Sequence, residues 1–323
     1  MKAGVAPSTV SFVLNNVKNQ SISQATRQRV IDCANELGYV ANFLASNMAR
    51  NRSRTIGVVL SYKLEHTYSH DIIYGLSEET IRHGYGLLIC GIDRNVSQES
   101  YFVRSFLEGR IDGIIFISSA HSENSSREND YIDIFQRNHI PFVVLYGYTN
   151  REDVSYINID IKQGSYDATK FLIKQGLSKL IYIGVLDKNN DKPFLPKTER
   201  DRIEGYENAV KSPCVHFLPR DFLNLSDDEI KKMLDNIGDI DGFVTCWATI
   251  GIQLSAYIKT VEKYKQSRII TLDYLPYMEY TNRDVFSMKL PFYEISLLGV
   301  QTLIHKLENK NIKNEIIYCP CHL

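Results

Sequence analysis

Short apolar segments alternate with helical stretches along the chain from Thr55 onward. Continuous apolar strands separated by helices are typical of a parallel sheet that helices cover on both faces. The number of strands fits two doubly wound halves, so the pattern predicts an α/β fold for residues 55–323. The predicted strands are 56–60, 86–90, 112–117, 142–145, 179–184, 242–245 and 269–272.

The first sixteen residues have another pattern, a turn followed by a short helix with two distinct faces. From Pro7 onward, apolar residues at helical spacing can face a core, namely Val10, Val13 and Leu14. The opposite face carries mostly short polar side chains, and its members are Ser8, Ser11, Phe12 and Asn15. Such a face fits between base edges and phosphates in a major groove, so the segment is interpreted as the DNA-reading half of a helix-turn-helix.

This segment resembles the LacI/GalR family of bacterial transcription regulators, whose turn and second helix read G-V-S-x-x-T-V-S-x-V-L-N. The positions that keep the pattern are Gly4, Val5, Thr9, Val10, Ser11, Val13, Leu14 and Asn15. Residues 22–39 resemble the family's third helix, with Ser23 as the expected N-cap and Gly38 as the expected stop. The resemblance implies an all-α DNA-binding headpiece over residues 1–41.

The resemblance also implies which side chains of the headpiece contact DNA. They are Pro7, Ser8, Thr9, Ser11, Phe12 and Asn15. The family often has Arg where Phe12 stands, and Phe cannot make the bidentate contact with guanine that Arg makes. A phenyl ring can pack on a thymine methyl group, so Phe12 predicts a thymine in the half-site.

Two departures from the family pattern affect the headpiece. The family carries a first helix before this turn, whereas this sequence starts at Met1, and we expect Met1 to be an internal methionine of a longer reading frame. Ala6 stands where the family has a capping Ser, a change that typically costs about 1 kcal/mol of helix stability. The alternative is a dimeric small-molecule sensor that has lost DNA binding together with the first helix.

The net charge of −1 conceals an asymmetry between the two parts of the chain. Residues 1–54 contain seven basic and two acidic residues, whereas the remaining residues contain 30 basic and 36 acidic residues. Only the N-terminal part therefore has the charge to approach a phosphate backbone. Basic surface helices are common, so this asymmetry supports DNA binding only together with the helix pattern.

Residues 42–54 form the candidate linker between the two parts. In the family this segment is a hinge helix that pushes an apolar residue into the minor groove, and Met48 holds that position here. An apolar wedge unstacks a base step, and the extra contacts of bent DNA offset that cost. The alternative is an amphipathic connector in which Leu44 and Met48 pack together.

The resemblance continues through residues 55–323 and implies a periplasmic-binding-protein-like effector domain. Such a domain has two lobes around a cleft that closes on a small molecule, and two subunits pair through it. The segments that match in family order are 84–85, 109–115, 160–164, 202–206 and 290–299.

Six residues are candidates for contact with an effector. In sugar-responsive members of the family, an Arg and an Asp that bind ligand hydroxyls stand where this chain has Arg202 and Asp273. A structural ion pair between these two across the lobes is the competing interpretation. The remaining candidates line the cleft or merely pack the lobes, and they are Tyr68, Ser69, Tyr146 and Trp247.

Other classes of protein find little support in the sequence. Gly84 and Gly86 precede a strand rather than follow one, and no Walker motif, nucleophile elbow or HExxH zinc motif is present, so an enzyme is disfavoured. No signal peptide, membrane span or zinc-ligand spacing is present, and the six cysteines are expected to be free thiols in the cytoplasm. No cofactor and no metal are expected.

The function that the sequence predicts is that of a ligand-responsive repressor of carbohydrate-related genes. We expect it to bind a near-palindromic operator as a homodimer. The effector can act either as an inducer, which releases the operator, or as a co-repressor, which strengthens DNA binding.

Overall fold

The structure is a computed structural model. It describes residues 2–14, 20–38, 52–61, 68–90, 100–118, 125–147, 149, 151–189, 192–219, 226–281, 284–309 and 312–323. Two predicted DNA-contacting residues, Asn15 and Met48, lie outside the described residues, as does most of the predicted linker.

The N-terminal module contains two helices, α1 (Pro7–Leu14) and α2 (Gln24–Glu36). Val13 of α1 and Val30 of α2 are buried, because each stands on the apolar face of its helix. The predicted helix signals of α2 are confirmed: the Ser23 side chain accepts the N–H of Thr26 at 3.2 Å, and Gly38 follows the helix at a φ of 56°. The left-handed conformation at Gly38 suits a residue without a Cβ atom and ends the helix.

The strands of the remaining chain are, in order, β1 (Thr55–Leu60), β2 (Gly86–Ile89), β3 (Gly113–Ile117), β4 (Phe142–Leu145), β5 (Tyr156–Ile159), β6 (Leu180–Asn189), β7 (Lys192–Phe194), β8 (Val215–Pro219), β9 (Gly242–Thr245), β10 (Arg268–Thr271), β11 (Val285–Ser287) and β12 (Ile316–Cys319). The helices are α3 (Ser69–Arg82), α4 (Tyr101–Leu107), α5 (Ser125–Arg137), α6 (Ile161–Lys174), α7 (Lys197–Ala209), α8 (Asp227–Ile237), α9 (Ala248–Ile258), α10 (Met278–Thr281) and α11 (Phe292–Glu308). A 3-10 turn spans Glu262–Tyr264.

Within the described residues these elements form two doubly wound lobes, as predicted. The N-terminal lobe has a parallel sheet in the order β12-β5-β4-β3-β1-β2, and its inner strands are buried except for the first residues of β1 and β4. The C-terminal lobe has the order β11-β10-β9-β6, with β8 pairing with β6 in parallel and β7 returning antiparallel to β6. Burial of the inner strands on both faces explains their unbroken apolar sequences.

The chain passes between the lobes after β5 and again between β11 and α11. The second passage pairs with the end of the chain, because Lys289 and His322 exchange two backbone hydrogen bonds at 2.7 Å and 3.0 Å. All six cysteines fall within the described residues and are free. Among the described helices, none has the length and apolar character that a membrane crossing requires.

Candidate functional site

The predicted effector residues follow the carboxyl ends of strands in both lobes. Tyr146 comes directly after β4, Trp247 stands two residues after β9, and Asp273 stands two residues after β10. In doubly wound sheets, ligands bind at this edge, because the loops there converge on a crevice. The fold therefore brings these three residues to the edges at which a ligand is expected.

Arg202 lies inside the C-terminal lobe, where it forms an ion pair with a neighbour on the same helix. Its side chain is 3% exposed, and its Nη1 is 3.4 Å from Oε2 of Glu199, which is 5% exposed. Tyr182 donates its hydroxyl hydrogen to Oε1 of Glu199 at 2.7 Å. Among the described residues, Nε of Arg202 has no hydrogen-bond partner although it is buried. A buried donor without a partner is costly, so this atom is a candidate for contact with an acceptor.

Burial and charge act in opposite directions on this pair. Burial raises the pKa of Glu199, and the adjacent Arg202 guanidinium limits the rise. Burial disfavours the charged form of Arg202, but the Glu199 carboxylate keeps the pKa of Arg202 above its ordinary value. Each group thus holds the other in its charged form.

Asp273 caps a helix of the C-terminal lobe. Its Oδ1 accepts the backbone N–H of Ala248, the first residue of α9. Burial raises the pKa of Asp273 to about 6, and the charge of Arg202 together with the Ala248 hydrogen bond limits that rise. Arg202 and Asp273 belong to the same lobe, and the ion pair of Arg202 goes to Glu199, so the competing prediction of an Arg202–Asp273 ion pair across the lobes is wrong.

The raised pKa of Asp273 predicts how a variant depends on pH. The folded protein retains the Asp273 proton up to about pH 6, whereas the unfolded chain loses it near 3.8. Burying the carboxylate therefore lowers stability above pH 6, and the penalty disappears as the pH falls toward 4. We expect the stability of Asp273→Asn relative to the wild type to be about 1–2 kcal/mol higher at pH 8 than at pH 5. Urea unfolding of the variant and the wild type at both pH values measures the difference in stability. The same difference at both pH values would contradict the raised pKa of Asp273.

Tyr146 is buried directly after β4 in the N-terminal lobe. It is 4% exposed and has a φ of 55°, a conformation that residues with a Cβ atom seldom adopt. Its ring meets the edge of Phe292 at a centroid distance of 5.4 Å. Burial raises the pKa of Tyr146 to about 12, and the positive charge of Arg202 is the first of the opposing influences. Tyr146 is thus packed in its lobe, and the charge of Arg202 in the other lobe affects the pKa of its hydroxyl.

Tyr68 and Ser69 stand at the start of α3. The ring of Tyr68 stacks on Phe292 with centroids 4.5 Å apart and planes inclined by 16°. Ser69 is 5% exposed, and its Oγ has no hydrogen-bond partner within the part of the chain that the structure describes. Phe292 therefore joins Tyr68 and Tyr146 into one aromatic group beside the Ser69 hydroxyl.

Trp247 is half-buried and packs against the core of the C-terminal lobe. Its carbonyl oxygen accepts the N–H of Gly251 and the hydroxyl of Thr245, at 3.2 Å and 3.1 Å, so the backbone around it is fixed. This contact with the core agrees with the alternative interpretation, in which the indole ring packs the lobe. It also leaves part of the ring exposed at the sheet edge.

Two residues of the site were not predicted from the sequence, Glu199 and Phe292. Glu199 precedes Arg202 by three residues, a spacing that places both on one helix face and signals an ion pair. Phe292 follows Pro291 at the second passage between the lobes, and nothing in its local sequence indicates that two tyrosines pack on it.

The second candidate site is α1 of the N-terminal module. The side chains of Pro7, Ser8 and Ser11 are exposed, whereas Thr9 and Phe12 are half-buried. The buried Val13 holds the opposite face of the helix to the module. The five described candidates are therefore accessible in whole or in part on one short helix.

Comparison with known proteins agrees with this arrangement. Residues 1–42 match the bacterial regulatory proteins of the lacI family, and residues 53–237 match the periplasmic binding proteins and sugar binding domain of the LacI family. Catabolite control protein A of Staphylococcus epidermidis is 26% identical over 328 residues, which cover 99% of this chain and 94% of that protein.

Two solved structures have the same fold. One is the lac repressor dimer bound to operator and the anti-inducer ONPF, with a TM-score of 0.75, 17% identity, and coverage of 99% of this chain and 94% of that chain. The other is the complex of the transcriptional regulator CelR with cellobiose, with a TM-score of 0.63, 19% identity, and coverage of 99% and 95%. The second matched region alone spans more than half of the chain, and the N-terminal helices and the two lobes agree with both matches. This chain therefore belongs to the LacI family of bacterial regulatory proteins and is a ligand-responsive, DNA-binding transcriptional regulator.

Proposed function

We propose that this regulator represses carbohydrate-related genes in the cytoplasm and that an uncharged, polyhydroxylated small molecule binds between its lobes. The observation that carries this proposal is a pair of buried polar atoms without partners among the described residues, Ser69 Oγ in one lobe and Arg202 Nε in the other. Both belong to residues that the sequence assigns to the cleft. A ligand with hydroxyl groups can satisfy both atoms.

The charges around Arg202 favour a neutral ligand over a phosphorylated one. Glu199 already balances the guanidinium, and Asp273 contributes a second carboxyl group nearby. One cation thus stands against two acids, which leaves no net positive charge to bind a phosphate. Hydroxyl groups can instead donate to Asp273 and accept from Arg202. The half-buried Tyr68, which stacks on the buried Phe292, and the half-buried Trp247 supply apolar surface for the faces of a sugar ring.

A homodimer fits the exposed apolar surface of the N-terminal lobe. Strand β2 is a sheet edge, and Ile89 on it is 43% exposed. On the adjacent α3, Tyr74 is 57% and Ile81 70% exposed. Exposed strand edges and apolar side chains are costly unless a partner covers them. We propose that a second copy covers this face, so that two headpieces meet two half-sites of a near-palindromic operator.

Linkage then gives the mechanism. If the effector prefers one arrangement of the lobes and DNA prefers one arrangement of the linkers, each ligand changes the affinity for the other by the same factor. Such couplings are typically about 1–3 kcal/mol, or about fivefold to 150-fold in affinity. The sign, induction or co-repression, depends on which arrangement the effector prefers.

Ligand charge is tested by thermal unfolding of the chain with neutral sugars, such as glucose and cellobiose, and with glucose 6-phosphate. We expect at least one neutral sugar to raise the melting temperature, because a ligand that binds only the folded state stabilises it. The phosphate is expected to produce a smaller shift. A shift with the phosphate alone would contradict the charge argument, and no shift with any member of a broad sugar panel would contradict the carbohydrate class.

A further inference from the structure

One carboxylate fixes the last residues of the linker to the N-terminal lobe. Oδ1 of Asp112, just before β3, accepts the backbone N–H of Ser53 at 2.5 Å and the Ser53 hydroxyl at 2.8 Å, and Oδ2 accepts the N–H of Arg54 at 3.0 Å. The N–H of Asp112 in turn donates to the carbonyl of Thr55 at 2.8 Å. Hydrogen bonds to an ionised acceptor are stronger than those between neutral groups. Residues 53–55 and Asp112 therefore form a closed set of contacts, here called the Asp112 clasp.

Two further contacts hold the same segment. Nη2 of Arg52 donates to the carbonyl of Leu307 at 2.9 Å, in the last turn of α11, where a cation also suits the helix dipole. The guanidinium of Arg54 lies 5.2 Å above the ring of Tyr85, and the Arg54 carbonyl accepts the N–H of Gly86 at 2.7 Å. The end of the linker thus contacts the N-terminal lobe at three separate places.

The backbone at Arg54 requires this support. Its φ of 54° lies in the left-handed region, which a residue with a Cβ atom occupies only when its surroundings hold it there. Asp112 accepts the N–H of this same residue, so the clasp acts where the backbone is least favourable. Without the carboxylate, two backbone N–H groups lose their acceptor, and the turn is free to relax.

We infer that Asp112 is a positioning residue that transmits the movement of the effector-binding lobe to the DNA-binding headpiece. The inference rests on the proposed function. The clasp leads directly into β1, which lies between β2 and β3 in the sheet, so the linker end is fixed to the inner part of that sheet. Loss of the clasp leaves both binding parts intact but weakens the connection between them.

Amide hydrogen exchange tests whether the clasp fixes the linker. In Asp112→Ala, we expect exchange at Ser53 and Arg54 to be at least tenfold faster than in the wild type. Asp112→Asn keeps one oxygen acceptor, so its exchange rates at Ser53 and Arg54 are expected to lie between those of the wild type and of Asp112→Ala. If Asp112→Ala does not fold, the rates of Asp112→Asn show whether the clasp fixes the linker. Asp153→Ala is the matched control, because Asp153 pairs with Arg151 on the same lobe without contacting the linker. Unchanged exchange in both Asp112 variants would overturn the inference.

DNA affinity tests whether the clasp is functional. The probe is a duplex that the wild-type protein selects from a random pool. We expect Asp112→Ala to bind it about tenfold more weakly with an unchanged salt dependence, since the phosphate contacts of the headpiece are retained, and Asp112→Asn to recover part of the affinity. Faster exchange with wild-type affinity would overturn the positioning role. Failure of the wild type to select any duplex would instead contradict the proposed function, and the exchange result would still decide whether Asp112 holds the linker.

Discussion

Replacing Arg202 with Ala is expected to lower the free energy of unfolding by about 3–5 kcal/mol, because it leaves the Glu199 carboxylate buried without its cation. Both side chains are almost inaccessible to water, at 3% and 5% exposure. The hydrogen bonds that Glu199 retains, from the Tyr182 hydroxyl and the backbone of Val185, supply no compensating charge. Urea unfolding of the purified variant at pH 7 measures the loss.

Two comparisons isolate the buried charge as the cause. Lys259→Ala removes an ion pair with Asp284 whose side chains are 55% and 67% exposed, and it is expected to cost less than about 1 kcal/mol. The double variant Arg202→Ala, Glu199→Gln is expected to recover part of the loss, since a neutral amide is less costly to bury than a carboxylate. Because removal of Arg202 raises the pKa of Glu199 further, the loss is also expected to shrink as the pH falls. A loss below about 1 kcal/mol in the single variant would show that Arg202 does not stabilise Glu199.

Replacing Phe12 with Ala is expected to reduce the affinity for the selected duplex about tenfold or more and to remove the preference for one thymine in each half-site. Phe12 is half-buried on α1, on the same face as the exposed Ser8 and Ser11, so part of it is available for a base. An apolar contact with the C5 methyl group is the interaction that Phe can offer there.

Uracil provides the matched test of that contact. Replacing the thymine with uracil deletes only the methyl group, so the wild type is expected to bind the uracil duplex more weakly. Phe12→Ala is expected to bind both duplexes equally, because the partner of the methyl group is already gone. Equal binding of thymine and uracil by the wild type, or unchanged preference in the variant, would contradict the assignment of Phe12.

Much of the fold follows from the sequence because buried parallel strands are unbroken apolar runs. The predicted bounds of β4 and β9 are those observed, and β1, β2, β3 and β10 differ by one residue at their ends. Strand β5 was missed because Asn158 interrupts its apolar run. That residue is 4% exposed and accepts the N–H of Gly147 at 2.8 Å, a tertiary contact that the local pattern does not reveal.

Edge strands were missed for another reason. In β12, Ile316 and Tyr318 are 37% and 50% exposed, and the strand follows β5 at the edge of the sheet. A short strand with exposed apolar residues has neither the alternation nor the continuous run on which the predictions were based. Strand β6 extends five residues beyond its predicted end at 184, where it pairs with β7 and β8.

The sequence identifies which residues belong to the candidate effector site but not which partners they contact. The positions of Arg202 and Asp273 follow from the family pattern, but their partners depend on packing. Arg202 pairs with Glu199 on its own helix, and Asp273 accepts a helix N–H. The contacts of Phe292 with Tyr68 and Tyr146 join segments more than 140 residues apart in sequence, and no local pattern identifies such contacts.

Recognition of specific DNA by this chain is expected to depend on its basic N-terminal module. Fluorescence anisotropy with a duplex selected from a random pool, at two salt concentrations, measures this recognition. We expect selective binding of a near-palindromic duplex over a scrambled one, with the logarithm of the affinity falling linearly with the logarithm of the salt concentration. Equal affinity for the selected and scrambled duplexes, or no binding of either, would contradict it.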